Sequence, residues 1–353
     1  DVHEWPDSPE FVRCQLRLTY ETEMTEWRYL YDGVEVVEQG YGEAYDNHQN
    51  HGKIRYIVRT CPVSGGKRIK YGYIQEFVFV KDISEGYDHE VVLDLLPGDY
   101  YIQVWSDLVE SAGDSHPYNA ESFASVEFQG IRRGNSDYCD AFCGQDSISL
   151  TLNATKQISR TINVCMKRPM AKIEVVANDL SEFTKMKGGD LSRYEAKIHY
   201  VGFVPSVYNL FVHRPVASNA GGVFESSLKK LTDSEVSMGF DYVFVSDMGT
   251  MVTVRVGIYD QKNQLVSLSV PITIPIKPDH HPLLMGNFLM QTTSNGVDID
   301  PNWGNTPIIM KINRLGAFRN VCDKIELIKR LNVTFIFTAN SHQSAIDAQI
   351  MAS

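Results

Sequence analysis

The chain lacks any run of 18 consecutive apolar residues. A membrane-crossing helix needs about that length, so none is expected. No signal peptide is visible in the sequence either. The first residue is Asp1, not Met, and a mature or trimmed form is expected. Basic residues are in short supply: 33 Lys and Arg stand against 44 Asp and Glu, for a formal net charge of −11. With no basic face evident to neutralise phosphates, a nucleic-acid partner is not expected. The motifs HExxH, GxSxG, the P-loop and GxGxxG do not occur. Their absence leans toward binding or assembly over catalysis, with no cofactor.

Metal-ligand spacing is poor. Six cysteines are scattered irregularly, and Cys139 and Cys143 are the only close pair. A disulfide between them and a pair of free thiols both remain open, whereas zinc would need further ligands nearby. His280 and His281 are adjacent, so on an extended chain they point to opposite faces and cannot easily share one ion. With Pro278 and Asp279 beside them, a loop is expected. His48 and His51 lie in a polar loop without a third ligand. Asp298, Asp300 and Asn302 put three oxygens within reach of a calcium ion, but the later bidentate Glu is missing. The expectation is no metal.

What is abundant is strand-forming sequence. Eighteen Tyr and sixteen Phe suit pleated, half-buried surfaces. Alternating or β-branched runs occur at 14–20 (CQLRLTY), 53–58 (KIRYIV), 74–80 (IQEFVFV), 123–128 (FASVEF), 147–152 (SISLTL) and 158–164 (ISRTINV). Residues 89–95 (HEVVLDL) and 96–108 (LPGDYYIQVWSDL) read as two strands joined by a Pro97-Gly98 corner. That corner has the residues of a type II turn, so a hairpin-like unit is expected. Many short strands separated by Gly, Asp, Asn and Ser clusters indicate an all-β sandwich.

Pro169 interrupts the pattern, and a new strand starts at Ala171. The expected domains are 1–167 and 168–315, with a short link between them. The second repeats the style at 194–200, 208–212, 240–245, 251–259 and 265–276. The connection DQKNQ (260–264) reads as a hairpin loop. Pro271 and Pro275 cannot donate to a ladder, so that strand is expected at an edge or with a bulge. Residues 316–353 depart from this style. Val321, Ile325, Ile328 and Leu331 are spaced as a helical stripe, followed by the strand-like NVTFIFT.

Trp105, beside Ser106 and Asp107, and Trp303 are candidate glycan-stacking residues. The plainer expectation for a strand-end Trp is core packing.

Six segments in order, VHEWPD (2–7), LPGDYYIQVWSDL (96–108), DAFCG (140–144), KRPMAKIEVVANDL (167–180), YVGFVPSVYNLF (200–211) and MGNFLMQTTSNGVDIDPNW (285–303), resemble the fimbrillin-like proteins of Bacteroidales. The likeness is to the fimbrial-subunit group that includes fimbrial anchor proteins, and it covers residues 1–312. It implies two tandem transthyretin-like β-sandwich domains and a place on the cell surface in a fimbria. It implies an outer-membrane lipid on a cysteine ahead of Asp1, and assembly with other fimbrial subunits by strand donation. A donated strand supplies main-chain hydrogen bonds, and its alternate side chains fill a row of pockets. Stalk subunits of such systems lose a first strand by cleavage after a basic residue. Arg13 is the candidate processing site here, but only thirteen residues end there. An anchor or accessory subunit is therefore expected, with a glycan-binding tip protein as the alternative. The atypical tail is a departure from the family pattern.

Overall fold

The structure, a computed structural model, describes residues 11–290 apart from 47–51, 65–66, 69–72, 85, 110–114, 131–133, 152–157 and 159. The described residues fall within one compact unit. The expected tail at 316–353 lies outside the described residues. Within them the protein is nearly all β, as its alternating runs require.

In chain order the first stretch contains β1 (Val12–Tyr20), β2 (Glu23–Tyr31), β3 (Val36–Asp46), β4 (Lys53–Ser64), β5 (Lys67–Arg68) and β6 (Gln75–Asp82). It continues with β7 (His89–Leu95), β8 (Gly98–Val109), β9 (Tyr118–Asn119), β10 (Val126–Phe128), β11 (Ala141–Leu150) and β12 (Arg160–Met166). The second stretch holds β13 (Met170–Ala177), helix α1 (Leu180–Lys187), β14 (Tyr194–Tyr200), β15 (Phe203–Asn209), β16 (Arg214–Ala220), β17 (Val223–Ser227) and β18 (Lys229–Lys230). It ends with β19 (Val236–Phe244), β20 (Thr250–Asp260), β21 (Leu265–Leu268), β22 (Ile272–Ile276) and β23 (His280–Gly286).

Two sheets of the first stretch share a core. One has the order β12-β1-β7, the other β11-β8-β4, with β6 also on β4. Leu16 and Leu18 of β1, Ile162 and Val164 of β12, Val58 of β4 and Val104 of β8 meet there, all fully or almost fully buried. A second core joins the sheet β18-β19-β13-β23-β2-β3 to the sheet β17-β14-β20, whose β20 pairs with both β21 and β22. Val175, Val243, Ile198, Val256, Ile274 and Leu284 lie in it. A third cluster is aromatic and draws on both stretches, with Trp105, Tyr118, Phe123, Tyr208 and Phe244 among its members. Each large apolar side chain so buried contributes about 1.5–3 kcal/mol.

The Pro97-Gly98 corner corrects one expectation. β7 and β8 do not pair with each other: β7 pairs with β1, and β8 with β4 and β11. The corner carries the chain from one sheet to the other. Gly98 takes φ +147, a region that favours glycine, and the Tyr100 hydroxyl donates back to the Pro97 carbonyl at 2.7 Å. The proline-bearing segment at 265–276 behaves as expected. It breaks into β21 and β22, both laid along β20, and neither has a second strand partner among the described residues.

The hairpin β2–β3 is the element that shapes the whole. Only Glu21 and Thr22 separate β1 from β2. Yet β1 lies in the first core and β2 joins the sheet of the second. β2 runs parallel to β23, in register from Thr25 with His280 to Tyr31 with Gly286, and β3 closes the antiparallel pair outside it. Residues 23–46 thus extend a sheet otherwise built from 170–286, across the expected boundary at 167/168. The chain crosses back at 167–169, between β12 and β13.

Where these crossings meet, Arg168 is buried against Asp140, with side chains 1% exposed on both. Its Nε donates to both carboxylate oxygens at 2.8 and 3.0 Å, and Nη2 donates to Oδ2 at 2.9 Å. The guanidinium lies over the Phe142 ring at 4.6 Å. The Arg168 backbone N–H donates to Asp279 Oδ1 at 3.1 Å. Burial pushes the Asp279 carboxyl up to about 6, although that hydrogen bond and the Arg168 charge oppose the shift. The folded state therefore holds this proton more tightly than the unfolded chain. The resulting stabilisation is complete below about pH 4 and is lost as pH rises through about 6. Asp279 has φ 55, which asparagine tolerates well. In urea titrations, raising the pH from 4 to 7 is expected to cost the parent about 2 kcal/mol more than Asp279→Asn. Equal pH slopes would contradict the assignment.

Candidate functional site

Strand pairing is the chemistry that the sequence points to, so the sheets' edges and the first strand are the places to look. β1 reads VRCQLRLTY and alternates as its sequence dictates. Val12, Cys14, Leu16 and Leu18 face the core, while Arg13, Gln15 and Arg17 face outward. It is a central strand: parallel to β12 from Cys14–Arg160 to Tyr20–Met166, and antiparallel to β7 from Val12–Leu95 to Leu18–His89. A polar ladder locks its outer face to β7. Arg13 donates to both oxygens of Asp94 at 2.9 and 3.0 Å, Gln15 donates to Glu90 at 2.6 Å, and Arg17 reaches Glu90 at 2.7 Å. The hydrogen bond and charge of Arg13 hold the Asp94 carboxyl below the usual carboxylate range.

Arg13, the candidate processing site, lies inside β1. Its backbone lies in the ladder, with Val12 and Cys14 paired on either side. A protease needs an extended, unpaired peptide in its cleft, so cleavage after Arg13 would require β1 to leave the sheet.

Several other edge strands carry a feature that discourages casual pairing. β6 presents Glu76, Lys81 and Asp82. β7 carries Glu90 and Asp94. β16 contains Pro215, and the ladder it forms with β15 has two register shifts. β22 contains Pro275. β3 has Gly40 at φ +102, and its ladder with β2 has register shifts.

Trp105 does not offer a stacking face. It is 0% exposed, packed edge-on to Tyr118 with centroids 5.4 Å apart. Its Nε1 donates to Asp107 Oδ2 at 3.1 Å. Asp107, itself fully buried, also takes a fork from Arg55 at 2.8 and 2.6 Å. The WSD run is a buried polar anchor beneath the aromatic cluster, so the glycan-stacking reading of Trp105 is withdrawn. Trp303 lies outside the described residues, as do His48, His51, Asp298, Asp300 and Asn302.

Cys139 and Cys143 do not bridge each other. Both are buried thiols, one closing a short turn and the other on β11. Burial pushes the Cys143 thiol up to about 12, which leaves it a poor nucleophile at neutral pH.

His280 and His281 open a strand and not a loop. They point apart, as adjacent strand residues must. His280 packs beside the Trp27 ring, and its Nδ1 lies 2.6 Å from the Pro278 carbonyl. His281 is buried, with Nε2 3.0 Å from Glu174 Oε2, while Ser237 donates to Glu174 Oε1 at 2.6 Å.

Sequence reasoning missed β2, along with β3, β16 and β17. The EMTEWRYLY of β2 carries Met24, Trp27, Tyr29 and Tyr31 inward. Aromatic enrichment was the available signal.

A model of a family described as "Family of unknown function (DUF6562)" matches residues 9–350. No curated protein matches the chain. Among solved structures, it is similar to a Bacteroides thetaiotaomicron VPI-5482 protein described as a "putative adhesin". That pair shares 12% identity over 81% of this chain and 95% of the other, with a TM-score of 0.44. It is also similar to the fimbrial anchor protein Mfa2 of Porphyromonas gingivalis, at 12% identity over 73% and 82% of the chains and a TM-score of 0.38. A third is the tip fimbrial protein Mfa3 of Porphyromonas gingivalis with C-terminal truncation, at 10% identity over 75% and 81% and a TM-score of 0.35.

Proposed function

The chain belongs to that family of unknown function, and we propose that it is a cell-surface fimbrial subunit of the anchor or accessory kind. In this reading it joins neighbouring subunits by strand donation and is held at the outer membrane by a lipid on a cysteine preceding Asp1. The observation that carries the proposal is the place of β1. β1 is the chain's own strand, paired on both sides in the first sandwich, so in this reading that position needs no donated strand. A subunit complete at that position suits the end of a polymer or its attachment better than its repeating stalk.

Two further features support the reading. Strands β3, β6, β7, β16 and β22, all at sheet edges, carry charges, prolines or bulges, which limits edge-to-edge growth along them. The chain also uses strand addition within itself. β2 leaves the first core and extends a sheet of the second, supplying main-chain bonds to β23 along one edge and Tyr31 to the core. The resemblance of the six ordered segments to fimbrillin-like proteins points the same way.

Immunogold labelling of producing cells, with shear-released fimbriae blotted in parallel, tests the proposal. Label at the cell surface at fimbrial bases or ends is the expected result. Label confined to the cytoplasm, or surface label with no association with fimbriae, would refute it.

A further inference from the structure

β6 and β7 are edge strands of the two sheets that share the first core, and side chains of β6 reach across to β7. The inward row of β6 is Gln75, Phe77, Phe79 and Lys81, at the two-residue period of a strand. The two phenylalanines in the middle pack on the first core. The polar residues at either end go to the main chain of β7 and its flanks. The Gln75 amide meets it as a peptide group would: Nε2 donates to the Asp94 carbonyl at 3.2 Å, and Oε1 accepts from the Leu96 N–H at 2.9 Å. Lys81 Nζ donates to the Asp88 carbonyl at 2.6 Å. Thr60, fully buried on β4, fixes the base of the bridge, its Oγ1 accepting from the Gln75 N–H at 2.9 Å.

These contacts take the places that a neighbouring strand would use. In an antiparallel pair the N–H and C=O of one residue point to the same side, and successive residues alternate. The Asp88 and Asp94 carbonyls and the Leu96 N–H point toward β6. By the same period Glu90 and Val92 present their N–H and C=O groups in that direction, away from β1. β7 ends its sheet, so no strand lies beside them. An edge of this kind is a template for another strand.

Charge guards this edge only in part. Asp94 is taken by Arg13, and Glu90 by Gln15 and Arg17, all on the chain's own β1. Val92, between the two acids, is 50% exposed. With Gln75 and Lys81 in place, the open run shrinks to Glu90 and Val92, shorter than the strands of ordinary sheets, about 3–10 residues.

We propose that Gln75 and Lys81 are side-chain plugs that close the outer edge of β7, and that the strand they keep out is β7 of a second copy of this chain. Antiparallel pairing about a two-fold axis is self-complementary, so one edge serves both partners. The acids that would face each other across such a pair are already neutralised within each copy. The inference concerns this edge alone and stands whether or not the chain is a fimbrial subunit.

Sedimentation velocity over a range of concentrations, with hydrogen exchange on the same full-length samples, tests it. Relative to the parent, Gln75→Ala with Lys81→Ala should strengthen self-association about tenfold or more, with new protection at residues 90–92. Adding Val92→Pro should restore the monomer, because it removes an N–H that points away from β1 and leaves the chain's own ladder intact. Gln75→Ala alone, at a concentration where it is monomeric, should speed exchange of the Leu96 amide about tenfold or more. That single variant carries both readouts should the double one fail to fold. Association equal in parent and plug variants, association that survives Val92→Pro, or unchanged exchange at Leu96 would overturn the proposal.

Discussion

Asp140→Ala is expected to lose about 3–5 kcal/mol of stability, measured by denaturant titration. The cause is the charge left behind. Arg168 is 1% exposed, and three of its hydrogen bonds run to the Asp140 carboxylate. Removing the carboxylate leaves a guanidinium that water cannot reach, beside the Glu21 carbonyl at 3.3 Å and the Phe142 ring. Repacking both positions, as Asp140→Leu with Arg168→Met, should lose much less, because the desolvation cost of both ions disappears together. The contrast between single and double variants is the signature of a buried pair. A loss under about 1 kcal/mol for Asp140→Ala would mean that water reaches the site. The pair stands where β1–β2 and β12–β13 cross between cores, so it governs the joint and not one sheet.

Trp105→Ala is expected to cost about 3–5 kcal/mol, by removing a fully buried aromatic side chain. The indole packs against Tyr118 and Phe244, in the cluster that draws on both stretches of chain. Its loss also takes one donor from Asp107, whose carboxyl burial already pushes upward against its pairing with Arg55. Trp105→Phe should lose less, since a ring remains while the N–H is lost. These costs decide between the two sequence readings of this residue. Saccharide binding that vanished at Trp105→Ala with unchanged stability would restore the stacking role.

Strand content was legible because alternation is a local property. β1, β4, β6, β7 and β12 fall within a few residues of their expected places, since each keeps one face in a core. Pairing was not legible. HEVVLDL and LPGDYYIQVWSDL look like one hairpin because the corner residues are the same whether a chain doubles back or changes sheet. Only the partners decide, and β1 and β4 lie far away in sequence. β2 was missed for a related reason: its inward residues Met24, Trp27, Tyr29 and Tyr31 depart from strict period two, and its ladder with β3 is bulged. His281 looked like loop because Pro278 and Asp279 precede it. The strand exists because β13 and β2 flank it in parallel on both sides.

The account rests on β1 being a fixed part of its own sandwich, and hydrogen exchange on the full chain tests this most directly. The amides of residues 14–19 are predicted to exchange as slowly as those of residues 102–106 in β8, near the global unfolding limit. Exchange of residues 14–19 as fast as that of exposed turns, while β8 stays protected, would contradict the account. It would show that β1 leaves the sheet and that the groove stands open to a partner's strand.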